Sequence, residues 1–252
     1  MKSKLFLKIE SDNDRTRISD MYFTPPYKIM SPFVKGKHID IMQMCASAGL
    51  LGMDEVSMEI LIGPGSDITY LSQSYEKVFD TKGKEVQKKL RMDIKEGAKV
   101  KYFPCPVIPF QNSKYYADNE IMISKDATLV YSDIFTCGRV GMGERFKMRS
   151  YRSKTKIYIE DQLVFADHTY ICPQKFHYQK MGMWSEYTHN GFLYIYCPHE
   201  EKMHRILSKL QKMTTEHMVF GVTRCCEGIG IRVLGNQGDQ IFQFFQKIAD
   251  EV

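Results

Sequence analysis

The segment GSDITYLSQS, residues 65–74, joins a glycine turn to a strand in which Ile68 and Tyr70 alternate with polar residues. Three later segments show the same order of turn, aliphatic and aromatic residue, at intervals of about thirty residues. They are GAKVKYFPCP (97–106), DATLVYSDIF (126–135) and DQLVFADHTY (161–170), with the pairs Val100/Tyr102, Leu129/Tyr131 and Leu163/Phe165. A recurring strand-rich unit of this length predicts a mainly β fold, a β-helix-like stack of irregular coils that share one core. Because the repeat is degenerate, an irregular β-sandwich remains the alternative.

Other segments also have strand character. LFLKIE (5–10), MEILIG (58–63) and KTKIYIED (154–161) alternate apolar and polar residues, which is typical of half-buried strands. The 15 tyrosines and 15 phenylalanines favour strands as well.

Two helices are expected in the C-terminal third. In residues 197–213, Met203, Ile206, Leu207 and Leu210 form an apolar stripe, with glutamates in the first turn and lysines near the end. A final helix follows Asp239, which we expect as its N-cap, with an apolar stripe formed by Ile241, Phe242, Phe245, Ile248 and Ala249. Between them, residues 217–235 predict two strands around a glycine turn. No linker is evident, so residues 1–252 are interpreted as a single domain.

Composition narrows the class of protein. The 252 residues are 43% hydrophobic and carry a net charge of +5, spread along the chain, which argues against a nucleic-acid-binding β-protein. Seven cysteines, no signal-peptide pattern and no apolar run approaching about 18 residues predict a cytoplasmic protein with reduced thiols and no membrane span.

The glycine-rich stretch CGRVGMGERF, residues 137–146, could be taken for a phosphate-binding loop. Such a loop needs a helix after the glycines, whereas the residues that follow alternate as a strand does. We therefore expect a bulged turn in which glycines supply positive φ angles. Arg139 and Glu144 then either pair with each other or face another protein.

A metal site is a second possibility. His168, Cys172 and His177 lie close together in sequence and are suitable ligands for zinc, copper or nickel. Their spacing matches no closed zinc pattern, so a small metal-binding enzyme that uses these three residues is kept only as the alternative function. No Ser/His/Asp arrangement, HExxH or Walker sequence is present, and the acids Asp54, Glu76, Asp133 and Glu144 are scattered. The protein is therefore expected not to be an enzyme.

Two proline-rich apolar segments, residues 22–33 and 103–110, are either core-packing loops or an exposed surface that binds a partner. The candidate partner-binding residues are Pro25, Pro26, Tyr27, Pro104, Pro106, Ile108 and Phe110.

Taken in order, several strings resemble the UreD/UreH urease accessory proteins from about residue 20 to residue 170. They are FTPPYKIMSPF, ASAGLLGMDE, IGPGSDITYLSQSYEKVF, FPCPVIPFQNSKYYADNEI, YSDIFTCGRVGMGERF and RSYRSKTKIY. The chain departs from the family where a glycine-rich SPGGGxxxGD string is usual. Here the segment reads CASAGLLGMDE and retains Gly49, Gly52 and Asp54.

The resemblance implies a β-rich coil with two helices and a non-catalytic scaffold that matures urease. It implies binding to apo-urease and to a UreF-like protein, which recruits a UreG-like GTPase, so GTP acts only through that partner. Nickel would pass in transit along a polar interior, with no tightly bound metal or other cofactor. The positions that match the family motifs and are candidates for this path are Asp54, Ser72, Gln73, Lys77, Asp133, Arg139 and Glu144.

Overall fold

Strands make up most of the chain. The computed structural model describes residues 1–12 and 15–252. The first strands are β1 (Lys2–Asp12), β2 (Arg15–Phe23), β3 (Tyr27–Ile29), β4 (Phe33–Lys35), β5 (His38–Cys45), β6 (Glu55–Ile62), β7 (Asp67–Ser72), β8 (Glu76–Val78) and β9 (Val86–Ile94). They are followed by β10 (Lys99–Phe103), β11 (Val107–Pro109), β12 (Lys114–Ile123), β13 (Thr128–Thr136), β14 (Ser150–Ile159), β15 (Gln162–Ile171), β16 (His189–Tyr196), β17 (Met218–Cys225) and β18 (Gly228–Gly235). The helices are α1 (Glu200–Gln211) and α2 (Gly238–Ala249).

The strands form two facing sheets, and the chain passes from one to the other as it coils. One sheet has the order β15-β14-β12-β9-β6-β1-β2, and the other contains the path β17-β18-β16-β13-β10-β7-β5-β3. Strands β6, β9, β12 and β14 are parallel neighbours in the first sheet, as are β5, β7, β10 and β13 in the second. Parallel neighbours at each coil make this a β-solenoid, and the predicted stack of coils is confirmed.

The sequence repeat corresponds to ladders inside the coils for three of its four members. Val100 pairs with Ile68 and with Leu129, and Tyr102 pairs with Tyr70 and with Tyr131. The fourth assignment, Leu163/Phe165, is wrong. These residues lie on β15, which runs antiparallel to β14 at the edge of the other sheet.

The strand that precedes these three in the ladder, β5, was not identified from the sequence. Ile39 pairs with Ile68, and Ile41 pairs with Tyr70. Its aromatic position holds isoleucine, so the sequence pattern did not reveal it.

The two ends of the solenoid differ in their connections. At one end, turns of four residues lead from β6, β9 and β12 to the next strand. Next to these turns the interior is lined by stacked aliphatic side chains, which we call the aliphatic half. It contains the ladder Ile9–Ile62–Ile94–Ile123–Ile159 and the adjacent ladder Leu7–Ile60–Met92–Ile121–Ile157.

Longer crossings, which include β8 and β11, connect the strands at the opposite end. Here the inward positions carry polar and aromatic side chains, and we call this region the polar half. Its members include Gln43, Tyr70, Ser72, Glu76, Lys88, Tyr115, Asn119, Asp133, Ser153 and Thr155.

Both predicted helices are confirmed, and they cover the outer face of the second sheet. Met203, Ile206 and Leu210 of α1 and Ile241, Phe245 and Ile248 of α2 are buried in a second core. Asp239 is not the N-cap of α2, because Gln237 occupies that position. The Asp239 carboxylate instead accepts a hydrogen bond from the Tyr75 hydroxyl at 2.8 Å. Among the described residues, no helix is long and apolar enough to cross a membrane.

Candidate functional site

The polar half is organised around the carboxylate of Glu76, at the start of β8. The Lys88 ammonium donates to both of its oxygens at 2.9 Å. The Tyr27 hydroxyl donates to Oε1 at 3.2 Å, and the Tyr115 hydroxyl donates to Oε2 at 3.3 Å. Three strands therefore supply donors to one carboxylate, as a charge in a protein interior requires.

Neutral polar groups continue from this centre across the interior. Tyr70 donates its hydroxyl proton to the Gln43 side-chain oxygen. The Asn119 amide donates to Thr155 Oγ1 at 3.2 Å, and the Tyr131 hydroxyl lies 3.4 Å from the same oxygen. Burial raises the pKa of Tyr70 and of Tyr131 well above the usual range, so both remain protonated hydrogen-bond donors.

A second carboxylate, Asp133, faces the interior from β13. Ser153 Oγ of the opposite sheet donates to its Oδ2 at 2.8 Å. Burial raises the pKa of Asp133, and the Ser153 hydrogen bond and the charge of Lys88 partly offset that rise. Asp133 and Glu76 therefore both experience the field of the same ammonium.

A small cavity of about 90 Å³ reaches this region from the crossing end. It is lined by Gln43, Cys45, Ser72, Gln73, Glu76, Lys77, Lys88, Tyr102 and Cys105, among others. The volume is enough for a few water molecules or a partly hydrated ion, and too small for a metabolite of ordinary size.

The candidate path residues of the 72–77 segment lie at this cavity. Ser72 Oγ accepts a hydrogen bond from the Cys105 backbone N–H at 2.7 Å, which fixes the rim. Gln73 and Lys77 line the cavity but are exposed on its outer side.

Asp54 has a different environment. Its carboxylate accepts a hydrogen bond from the Leu51 backbone N–H at 2.8 Å and contacts the Met1 amino group at 2.6 Å. It does not line the cavity and belongs to the turn that precedes β6. The structure therefore does not bring Asp54 together with Asp133 and Ser72.

The two glycines retained in the 45–55 segment allow that segment to lie against β8. The Leu50 N–H donates to the Lys77 carbonyl at 2.8 Å. A Cβ at Gly49 would lie 2.7 Å from the same carbonyl oxygen, and one at Gly52 would lie 2.3 Å from the Thr81 oxygen. Both positions therefore require glycine for close backbone approach rather than for flexibility.

The CGRVGMGERF stretch forms a turn with a short 3₁₀ segment at Val140–Met142, as expected. Gly138 and Gly143 have φ angles of 138° and 72°. Arg139 and Glu144 pair with each other across the turn, with Arg139 Nε 2.8 Å from Glu144 Oε2. The Arg139 guanidinium also lies 4.4 Å from the centre of the Phe110 ring. The pair therefore closes the turn and holds it against the 103–110 segment, away from the interior carboxylates.

The two proline-rich segments differ in exposure. Pro26, Tyr27 and Pro106 are buried, and Pro104, Ile108 and Phe110 are partly buried, whereas Pro25 is exposed. Phe110 of the second segment packs edge to face against Phe79, which follows β8. The core-packing interpretation therefore holds for residues 103–110, whereas Tyr22, Met30 and Phe33 of residues 22–33 are exposed, so that segment still offers an apolar surface.

Further exposed apolar side chains lie on two loops at the crossing end. Met142 is 74% exposed on the 137–149 loop, and Met181 is 94% exposed on the 172–188 loop. The loops are joined where Phe146 packs against Trp184 and Arg145 Nη2 donates to the Ser185 carbonyl at 3.1 Å. They offer an apolar surface that the sequence pattern did not reveal, because loop exposure has no periodic signal.

The alternative metal site is not supported by the geometry. His168 and His177 are exposed and Cys172 is buried. Among the described residues, no three His, Cys, Asp or Glu side chains are placed to hold a metal ion together. The cysteines are free thiols, and Cys226 is the exposed one of the seven.

The most important residues that sequence reasoning missed are Lys88 and Tyr115, and Tyr27 was named for partner binding rather than for its contact with Glu76. Lys88 lies in VQKKLRMDIK, where flanking charges hide which face points inward. A strict period of two counted back from Met92 and Leu90 would have placed Lys88 on the inward face.

The family model and the relatives that match this chain carry names of the same family. A family model described as UreD urease accessory protein matches residues 1–252. A protein of Helicobacter hepaticus named urease accessory protein UreH is 35% identical over 249 residues, covering 98% of this chain and 97% of its own. One of Acetivibrio thermocellus named urease accessory protein UreD is 30% identical over 253 residues, covering 98% and 96%. A UreH of Helicobacter pylori is 33% identical over 201 residues, covering 79% and 76%.

Proposed function

The chain belongs to the UreD urease accessory protein family, and from this premise we propose that it is a non-catalytic scaffold of urease maturation. It binds apo-urease and a complex of UreF-like and UreG-like proteins, and it passes nickel through its interior to the urease active site. Nickel is cargo, and GTP is used only by the UreG-like partner. The protein works in the cytoplasm, where urease is assembled.

The observation that carries the nickel step is the polar half of the solenoid. It presents two carboxylates, several hydroxyls and two amides, which can replace part of a divalent ion's hydration shell. Among the described residues these groups do not converge into a three-ligand cage of His, Cys, Asp or Glu. A path with oxygen ligands and no closed cage binds a cation weakly, which suits transfer rather than storage.

Partner binding is supported by the loops of the crossing end. Met142 and Met181 are exposed there, at the end of the solenoid where the cavity lies. Methionine side chains adapt to a partner's surface and are common at protein contacts. A partner bound to these loops would lie at the same end of the solenoid as the cavity lined by Ser72 and Gln73.

The experiment is co-expression with tagged UreF-like, UreG-like and urease proteins, followed by affinity capture. We expect the chain to be recovered in one complex with all of them, and urease to be inactive when the chain is omitted. The double variant Met142→Glu/Met181→Glu should lose capture by the UreF-like protein while remaining folded, with His168→Glu as a matched surface control. Active urease in the absence of the chain would contradict the scaffold role.

A further inference from the structure

The Glu76–Lys88 pair is unusual because it is a charged pair placed inside a solenoid core. The Lys88 side chain is 14% exposed and that of Glu76 is 15% exposed. Two charges so far from bulk water are costly and are usually kept only where they compensate each other or serve a purpose. Both oxygens of Glu76 are occupied by Lys88.

The position of Lys88 on β9 makes this charge costly to keep. The inward residues of that strand are otherwise apolar: Val86, Leu90, Met92 and Ile94. In register, Lys88 lies between Val56 of β6 and Ala117 of β12. Neither neighbour can pair with an ammonium, and among the described residues Glu76 is the acid that forms a salt bridge with it.

The pair also lines the small cavity at the crossing end, together with Gln43, Ser72 and Cys45. A carboxylate that lines a cavity of this size attracts small cations strongly, because little water screens it. The lysine ammonium is a compact charge on a flexible stem, so it can leave the carboxylate without unfolding the strand. An entering divalent cation and the ammonium compete for the same two oxygens.

We propose that Lys88 is a tethered cation that occupies the Glu76 carboxylate when no metal ion is present and is displaced when a divalent ion enters. Lys88 thereby keeps the affinity of the cavity for metal low and lets the ion leave again. This inference rests on the proposed passage of nickel, and it adds the device that prevents the passage from becoming a trap.

The test is calorimetric titration of Ni²⁺ into the purified chain and its variants. Lys88→Met keeps the length and the apolar stem but removes the competing charge, so Ni²⁺ affinity should rise at least about tenfold. Lys89→Met is the matched control, because Lys89 is the next residue on β9, is exposed and faces outward. It should leave the affinity unchanged. The double variant Lys88→Met/Glu76→Gln should lose the gain.

Wild-type affinity in a folded Lys88→Met protein would overturn the inference, as would a gain that persists in the double variant. If Lys88→Met lowers the melting temperature, Ni²⁺ should restore it by more than it raises that of the wild type, because the ion replaces the missing positive charge. Absence of restoration would also overturn it.

Urease activation separates this inference from the proposed function. If Lys88→Met binds Ni²⁺ more tightly and yields urease with less nickel, both are supported. Tighter binding with normal nickel in urease supports the tethered cation but removes this cavity from the delivery route. If Lys88→Met binds Ni²⁺ as the wild type does, and urease still needs the chain for its activation, the tethered cation is overturned and the scaffold role is retained.

Discussion

The aliphatic half and the polar half of the solenoid are built from the same strands, yet they differ in chemistry within a few residues. On β14, Ile157 and Ile159 face inward at one end, whereas Ser153 and Thr155 face inward at the other. On β9, Ile94 and Lys88 lie on the same inward face, three inward positions apart. The contrast indicates that the aliphatic half is enough to define the coils, so the polar half can carry polar groups.

Parallel in-register pairing explains why this division is stable. A residue in the aliphatic half stacks on its equivalents above and below, so each isoleucine of the Ile62–Ile94–Ile123 ladder buries its neighbours. In the polar half each buried group instead needs a partner, and Glu76, Asn119 and Asp133 all have one.

The largest expected effect is on stability when the aliphatic half is truncated. Ile157→Ala removes a fully buried side chain from the ladder, and the free energy of unfolding should fall by about 2–5 kcal/mol. Denaturant titration measures the loss, and Ile157→Val should cost only about 1 kcal/mol. A loss below 1 kcal/mol for the alanine variant would mean that this half does not define the coils.

The next effect concerns the loop that covers the cavity. Gly52→Ala places a methyl group 2.3 Å from the Thr81 carbonyl oxygen, so the loop or the segment that follows β8 must shift. We expect a loss of roughly 2 kcal/mol by thermal or chemical unfolding. Gly141→Ala is the matched control, because its added carbon meets no atom within 4 Å and its stability should be nearly unchanged. Equal behaviour of the two variants would refute the close-approach explanation.

A smaller effect is expected at the turn outside both halves. The Arg139–Glu144 pair should show a favourable coupling in a double-mutant cycle with Arg139→Ala and Glu144→Ala, read from unfolding midpoints. Charge reversal of both residues should restore stability only partly, because a glutamate at position 139 cannot stack over Phe110. Additive single effects would show that the two charges act separately.

The smallest expected effect is on how the free energy of unfolding changes with pH. Burial raises the folded-state pKa of Asp133 above its value in the unfolded chain, 3.8. The folded protein therefore binds this proton more readily, and its contribution to stability falls as pH rises through that window. Asp133→Asn should be more stable than the wild type at pH values where the wild-type carboxylate is ionised, and should lose this advantage as acid protonates that carboxylate. A difference that is constant with pH would mean that Asp133 is not desolvated.

The coils and the two helices could be predicted from sequence because aliphatic ladders and amphipathic helices have a regular period. Ile68, Val100 and Leu129 were placed correctly for that reason, and Leu163 was misplaced because an edge strand can imitate the same pattern. The capping role of Asp239 failed because a tertiary partner, Tyr75, binds its carboxylate instead.

The site could be predicted only where a motif marked it. Ser72 and Gln73 were identified through the family resemblance, and both line the cavity. The Glu76–Lys88 pair joins two strands across a crossing of irregular length, so no fixed sequence spacing predicts it. The proline-rich segments carried an apolar signal that does not distinguish a buried loop from an exposed one, and Tyr27 proved to be buried as a donor to Glu76.

We propose above that nickel passes through the polar half. The most direct test of this claim is the nickel content of urease matured with the Asp133→Asn variant, measured per urease active site alongside the amount of complex recovered. An amide attracts a divalent ion far less than a carboxylate does, so nickel should fall severalfold while the complex is recovered in normal amount. Fully nickel-loaded, active urease from an intact complex would contradict the claim.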